Sequence, residues 1–307
     1  MKKSVRILFC AVLTGLFAGS ADLKAQSPEE KLDWQLGAQA WTFRTHTFAE
    51  TLDTIRAIGL KHVQAFPGQK LGGTMAGTMD YTMSADQRKQ VLALLKQKGI
   101  KMVSFGVTGA DNEADWRKLF EFASAMGLQS IAVEPGYQDM PLVSKLADEF
   151  RVNVAIHNHP QPTLYWSPDT VIKYTAGLSR RIGVNADIGH WIRSGLDPVA
   201  CLKKFEGRIF ALHFKDLDRK PSEEMLKTLA SLPAGSGFTK ELIEALQTGP
   251  HDVIWGTGVS DIRGVMAELK RQHFKGPVFA EYEYNWGKNA GEVKASADYF
   301  RSVVKTL

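Results

Sequence analysis

Residues 182–190 read Ile-Gly-Val-Asn-Ala-Asp-Ile-Gly-His, and residues 209–216 read Ile-Phe-Ala-Leu-His-Phe-Lys-Asp. Each is a short β-rich run that ends on side chains able to bind a metal or carry a proton. Between them lies an amphipathic segment, Pro198–Phe205, which Asp197 opens as an N-cap with proline at the first helical position. A strand, a helix and a second strand, with chemistry gathered at the strand ends, form the βα unit of a parallel sheet.

Working outward, the same rhythm fills the chain. Strands are predicted over Leu36–Phe43, His62–Phe66, Lys101–Val107, Ser130–Glu134, Asn153–His157, Ile182–Asp187, Ile209–His213 and Val278–Tyr282. Helices are predicted over Phe48–Ile58, Ala85–Lys98, Glu113–Met126, Leu142–Phe150, Asp169–Ala176, Pro198–Phe205, Ile262–Gln272 and Glu292–Val304. Gly59, Gly99 and Gly127 each stand where a helix ends on a left-handed residue. Eight such units predict an α/β fold, a single (β/α)8 TIM barrel over 26–307, whose usual length is roughly 250 residues. Two stretches break the rhythm: the glycine-rich 67–83, and a connection from His213 to Ile262 with one short helical pattern. Both follow strands, so both are expected over the C-terminal face, and long connections of this kind are usually functional.

The first 25 residues are set apart. Lys2, Lys3 and Arg6 lead an apolar run from Ile7 to Ala18, followed by small residues, which is the pattern of a secretory signal peptide cleaved after Ala21 or, preferably, Ala25. The run is too short for a good membrane span, and Cys10 lies within it rather than at its end, which argues against a lipid anchor. An exported protein, periplasmic or secreted, is therefore expected. Only Cys201 then remains, so no intrachain disulfide can form. The chain carries 38 Lys+Arg and 33 Asp+Glu, but the first 25 residues hold four of the former and one of the latter, so the remainder has an excess of only two. Without a basic block, a nucleic-acid partner is not expected.

His157, His159, His190 and His213 fall at or just beyond the ends of three successive predicted strands, where a barrel of this kind carries its active-site groups. Glu134, Asp187, Asp216, Glu281 and Glu283 share that position. Imidazole mixed with carboxylate suits Mn²⁺, Zn²⁺, Fe²⁺ or Co²⁺ better than Ca²⁺ or Mg²⁺. His46, His62, His251 and His273 read as ordinary hydrogen-bonded histidines. Trp41, Phe66, Tyr165, Trp166, Trp191 and Trp286 are aromatics near the same face, with Trp41 and Trp191 the preferred stacking partners for a sugar ring. Gly256-Thr257-Gly258 could bring backbone N–H groups to an anion, though so short a glycine pair is a weak signal.

These motifs resemble the xylose-isomerase-like barrel superfamily, which includes sugar epimerases, inosose dehydratase and endonuclease IV. The resemblance covers most of the chain after residue 25 and is most specific from His157 to Glu281. It implies a divalent metal held by an acidic group ending strand five, an Asp-x-x-His ending strand six, a His before Leu-Lys-Asp ending strand seven and a Glu ending strand eight. Asp187-Ile188-Gly189-His190, His213-Phe214-Lys215-Asp216 and Glu281 match the last three. At strand five the chain departs from the pattern and reads Ile156-His157-Asn158-His159-Pro160, so His157 takes the place of a glutamate that would also carry a proton. The expected metal ligands are therefore His157, Asp187, His213 and Glu281, although either His157 or His159 could be the strand-five ligand.

Such a site supports metal-assisted enolisation, in which a base removes a proton beside a carbonyl. Glu134, His159, His190 and Lys215 are the catalytic candidates, and Trp41, Trp191, Asp216 and Glu283 the substrate-binding ones. The expected activity is that of a sugar isomerase or epimerase on an unphosphorylated sugar or keto-sugar. A lyase or hydratase on 3-keto-glycosides uses the same chemistry, and a non-catalytic carbohydrate-binding barrel is the reading from another class. An endonuclease-like hydrolase would need a fuller metal set and a basic surface.

Overall fold

The computed structural model describes residues 26–307; the signal-peptide reading and Cys10 lie outside the described residues. Eight parallel strands close into a barrel: β1 (Trp34–Gln39), β2 (His62–Ala65), β3 (Lys101–Thr108), β4 (Ser130–Val133), β5 (Asn153–His157), β6 (Ile182–Asp187), β7 (Ile209–Phe214) and β8 (Gly276–Ala280). They neighbour one another in chain order, and β1 meets β8 with Ala38 beside Ala280. The register sets the site: His157 lies beside Asn185, Asp187 beside His213, and His213 beside Phe279.

Helices wrap the outside because their apolar residues recur at helical spacing. On Phe48–Ala57, Phe48, Leu52 and Ile55 are all fully buried, and Thr47 and Glu50 close the N-terminus as a capping box. Phe214 on β7 packs against Trp255 and Phe300, and Phe300 against Trp34, joining barrel wall to the C-terminal helix Ala290–Val304.

The sequence-derived elements recur with five physical differences. The first strand stops at Gln39 rather than Phe43, because the Gln39 side chain accepts from the Trp41 N–H at 3.1 Å and turns the chain into a 3-10 helix, Ala40–Phe43. The last strand stops at Ala280, so Glu281 and Glu283 ride on the loop beyond it. A helix not expected from periodicity, Ile188–Arg193, follows β6 directly. The long connection holds two helices, Glu223–Ser231 and Lys240–Thr248, and Asp216–Leu217 pairs antiparallel with Asp252–Val253 across it. Residues 67–83 contain a hairpin, Lys70–Gly72 with Met75–Thr78.

Candidate metal centre

Asp187 ends β6 and caps the helix Ile188–Arg193: its Oδ1 accepts from the His190 N–H at 2.8 Å. Asn158 fixes its main chain, accepting from the Asp187 N–H and donating to its carbonyl, each at 2.9 Å. With Oδ1 engaged and the backbone clamped, Oδ2 points inward, fully buried and in no aligned hydrogen bond, with the Lys215 ammonium 3.2 Å away. Such an atom is costly unless something else satisfies it. Gly189 admits the neighbouring strand, since a Cβ there would lie 2.5 Å from the Lys215 Cβ.

His213 sits 3.6 Å away, measured from its Nδ1 to Asp187 Oδ2. Its other nitrogen, Nε2, lies 2.6 Å from Gln64 Oε1 and so must donate there. Gln64 belongs to a buried polar layer beneath the site: Gln39 donates to Gln64 and to the Gly106 carbonyl, Gln64 to Ser104, and Ser130 to Ser104. The Asn185 amide end is 3.0 Å from both His213 Nε2 and His157 Nδ1. An amide nitrogen there would face the His213 nitrogen that already donates to Gln64, whereas the amide oxygen accepts from His157 Nδ1 and gains a partner its Oδ1 otherwise lacks. That orientation makes both second-side nitrogens N–H donors. It leaves His157 Nε2 as a lone pair, while His213 Nδ1, which faces Asp187 and Glu281, holds a proton in the metal-free protein and becomes a ligand when that proton leaves.

Glu281 completes the set. Its Oε2 is 2.8 Å from His213 Nδ1, yet that nitrogen has no aligned hydrogen bond. Lys215, fully buried, stands among the carboxylates, with Nζ 3.2 Å from Asp187, 3.0 Å from Glu281 and 2.5 Å from Glu283. Arg193 lies 3.5 Å from Glu283 and 3.4 Å from the buried Asp252. Two cations thus face four acids, an excess of negative charge that burial makes expensive. The titrations answer it. Burial opposes charging of His213, but Glu281 and Asp187 outweigh this and push its pKa up to about 9. Burial pushes Asp252 up to about 7 against the pull of Arg193. Glu281 is drawn down to about 2, its burial overcome by His213 and Lys215.

The donor set fits a divalent ion. Buried Asp187 Oδ2 and His213 Nδ1, neither in an aligned hydrogen bond, face each other beside Glu281, and an ion of charge two would offset the acid excess. His157, Asp187 and His213 can bring one ligand atom each within 4.8 Å of one another, as can Asp187, His190 and Glu281. His157, His159 and His190 can do so too, and the three rings pack together with centroids 4.6–5.8 Å apart.

Above this floor opens a cavity of about 1220 Å³, lined at its base by Gln39, His159, His190, Glu281 and Glu283. His159 Nδ1 is 2.6 Å from Glu134 Oε1; burial disfavours its charged form, but the Glu134 carboxylate prevails and raises its pKa above the ordinary value. His190 is held well below the ordinary value by burial and by Lys215 and Arg193, and is neutral.

The structure therefore gathers His157, Asp187, His213, Glu281, Glu134, His159, His190, Lys215 and Glu283 into one cluster, and Trp41 lines the cavity above it. Two expected substrate-binding residues lie elsewhere. Trp191 is buried in the core, stacked on Phe205, because it faces outward on the helix after β6. Asp216 is buried and spent: its Oδ2 accepts from the N–H groups of Gly256 and Gly258 and its Oδ1 from that of Ser260. The glycine pair does bind an anion, but one supplied by its own chain. A Cβ on Gly258 would lie 2.4 Å from Asp216 Oδ1. Tyr165 and Trp166 do not reach the cavity, whereas Phe66, Trp286 and His251, the last expected to be purely structural, line it. Sequence reasoning missed Asn158, Asn185, Arg193 and Asp252. Asn185 carried a signal, since strand alternation places it on the same face as Asp187.

Comparison with known proteins agrees with this architecture. The family model described as Xylose isomerase-like TIM barrel matches residues 52–303. An uncharacterized protein from Parabacteroides distasonis is 33% identical, with a TM-score of 0.67 over 88% of this chain and 99% of that one. A D-tagatose 3-epimerase-like protein shares the fold at 13% identity and a TM-score of 0.64, covering 89% of this chain and 98% of that one. So does a protein described as the 3-DHS dehydratase AsbF of petrobactin synthesis in Bacillus anthracis, at 15% identity and a TM-score of 0.62, covering 87% and 98%. The Rhizopine catabolism protein MocC of Rhizobium meliloti is 27% identical over 135 residues, which span 44% of this chain and 38% of that relative's length.

Proposed function

Because the chain belongs to the xylose isomerase-like TIM-barrel family, we propose that it is an exported, divalent-metal-dependent enzyme that enolises an unphosphorylated sugar or keto-sugar. One observation carries the reading. Asp187 Oδ2 and His213 Nδ1, both buried and neither in an aligned hydrogen bond, face each other at 3.6 Å, beside Glu281 and Lys215 and beneath a large cavity. Asp187, His213, Glu281 and His157 would hold the ion, with Mn²⁺, Zn²⁺, Fe²⁺ or Co²⁺ suited to the mixed donors. When bound, such an ion polarises a substrate carbonyl and stabilises the negative charge that develops as the neighbouring C–H proton leaves.

The chain's own residues do the rest. His159, oriented through Nδ1 by Glu134, offers Nε2 to the substrate as the proton carrier. Such a group is worth about 10²–10⁴-fold in rate. Neutral His190, packed beside His159 with ring centroids 5.3 Å apart, and the Lys215–Glu283 pair are placed to bind hydroxyl or carbonyl oxygens.

A second reading is favoured by His157. With a histidine where a proton-carrying glutamate would stand, and Glu283 held by Lys215 at 2.5 Å, the free proton traffic falls on one wall. That suits a reaction needing one base, either isomerisation or elimination from a 3-keto-glycoside and its reverse hydration. Incubation of the metal-loaded protein with keto-sugars in D₂O tests both. Deuterium is expected at the carbon beside the carbonyl, and is lost with chelator and in Asp187→Ala. A new carbon–carbon double bond in the product identifies the eliminating form. A metal-loaded protein that exchanges no proton on any of these sugars would remove the proposal.

A further inference from the structure

Six large hydrophobic side chains are exposed among the described residues, and three of them, Phe238, Ile243 and Tyr284, line this one cavity at 51%, 42% and 41% exposure. Singly scattered exposed apolar residues need no explanation, but a cluster rimming a cleft marks a binding surface. Phe238 and Ile243 come from the long β7–β8 connection, where the helix Lys240–Thr248 adds Leu246 to the same wall. On the opposite wall, the Arg44 guanidinium lies 3.6 Å from the Trp286 ring centroid and 4.7 Å from that of Trp41, which holds both indoles in place.

The cavity thus has two chambers of different chemistry. Its base is built of histidine, carboxylate and amide; its upper part carries the apolar and aromatic side chains, with Arg219, Gln247, His251 and Asn285 also in the lining. Phe238 joins them, with its ring edge-to-face on His159 at 4.7 Å between centroids. At about 1220 Å³ the whole exceeds the roughly 300–1,000 Å³ that encloses a drug-sized molecule, so a single sugar ring on the polar floor leaves the upper chamber open.

We infer that the upper chamber is a subsite for a flat apolar group joined to the sugar, so that the substrate class is a glycoside with an aromatic aglycone. A second sugar ring is the poorer occupant. Gln247 and His251 line the same cavity, but hydroxyls set directly against Phe238, Ile243 and Leu246 would lose their water and gain no partner, a cost an aromatic ring does not incur. Aromatic side chains add offset or edge-to-face contacts to the burial of such a ring. The inference rests on the sugar reading proposed above.

Titration calorimetry with the metal-loaded protein tests it, using matched methyl and phenyl β-glycosides of glucose, galactose and mannose. The phenyl member of at least one pair is expected to bind about tenfold or more tightly than its methyl partner. Phe238→Ser and Ile243→Ser, both at exposed positions, bring the phenyl affinity down to the methyl one. Equal affinities within every pair, binding by none of the six, or variants that weaken both members of a pair equally would overturn the subsite. Those outcomes together with retained metal-dependent deuterium exchange on keto-sugars remove the subsite alone. A phenyl preference without any such exchange keeps the subsite and removes the enolising function.

Discussion

Replacing Lys215 with methionine removes a fully buried ammonium that lies 3.2 Å from Asp187, 3.0 Å from Glu281 and 2.5 Å from Glu283. At an effective dielectric of about 20, each direct attraction near 3 Å is worth about 5 kcal/mol. The cost of stripping water from the ammonium offsets several kcal/mol of that, and breaking a buried pair nets about 3–5 kcal/mol of destabilisation. Methionine preserves most of the side chain's bulk, so the loss is electrostatic rather than one of packing. For a domain of this size, roughly 2–4 °C per kcal/mol converts to a fall of about 6–20 °C in Tm. That fall applies to chelator-treated protein, in which the three carboxylates lose their nearest cation. A divalent ion places positive charge among the same oxygens, so saturating Mn²⁺ or Zn²⁺ restores most of the lost stability. Without the competing ammonium, Lys215→Met also binds the ion at least about tenfold more tightly than the wild type. Melting curves by circular dichroism with and without chelator, alongside calorimetric metal titration, measure both quantities. An equal loss of Tm in both conditions, or a weaker affinity for metal, would refute the shared-seat argument.

Three further outcomes follow from the same geometry. His213 is pushed up to about 9, so at pH 7.5 it is protonated in the metal-free protein, and binding at Nδ1 expels about one proton per ion. Calorimetry in buffers of different ionisation heat reads that proton; the release fades as pH rises past about 9, and its absence at pH 7.5 would contradict the ligand assignment. Asp216→Ala strands the N–H groups of Gly256, Gly258 and Ser260, of which only the last is buried outright and costs about 1–3 kcal/mol, so Tm falls by a few degrees while metal affinity stays within about threefold; lost affinity would return Asp216 to the site. Glu134→Gln removes the larger of the two carboxylates that oppose burial at His159, Glu281 being the other, so the pKa of that ring, followed by NMR, drops from its raised position, and an unmoved pKa would dissolve the dyad.

Much of this was legible in the chain because it is local. Strand alternation and helical spacing located all eight barrel strands, and Asp187 and His213 stood out through both their motifs and their place at strand ends. Contacts that close over long separations were not legible. Arg193 reaches Asp252 across 59 residues and Glu283 across 90, and no pattern near any of the three announces the pairing. Trp191 and Asp216 were misjudged for one reason: standing next to a motif does not fix where a side chain points. The helix after β6 carries Trp191 outward into the core, and Asp216 finds its partners some forty residues on. The first strand was drawn too long because its stop is a side-chain bond from Gln39, not a glycine or proline.

The central claim is that Asp187, His213 and Glu281 form a seat for one divalent ion. Crystals grown with Mn²⁺ and measured at its absorption edge test it most directly. One anomalous peak is expected within bonding distance of Asp187 Oδ2, His213 Nδ1 and a Glu281 oxygen, and no such peak in Asp187→Ala. An empty seat at saturating Mn²⁺, with the Lys215 ammonium still spanning Asp187 and Glu281, would contradict it.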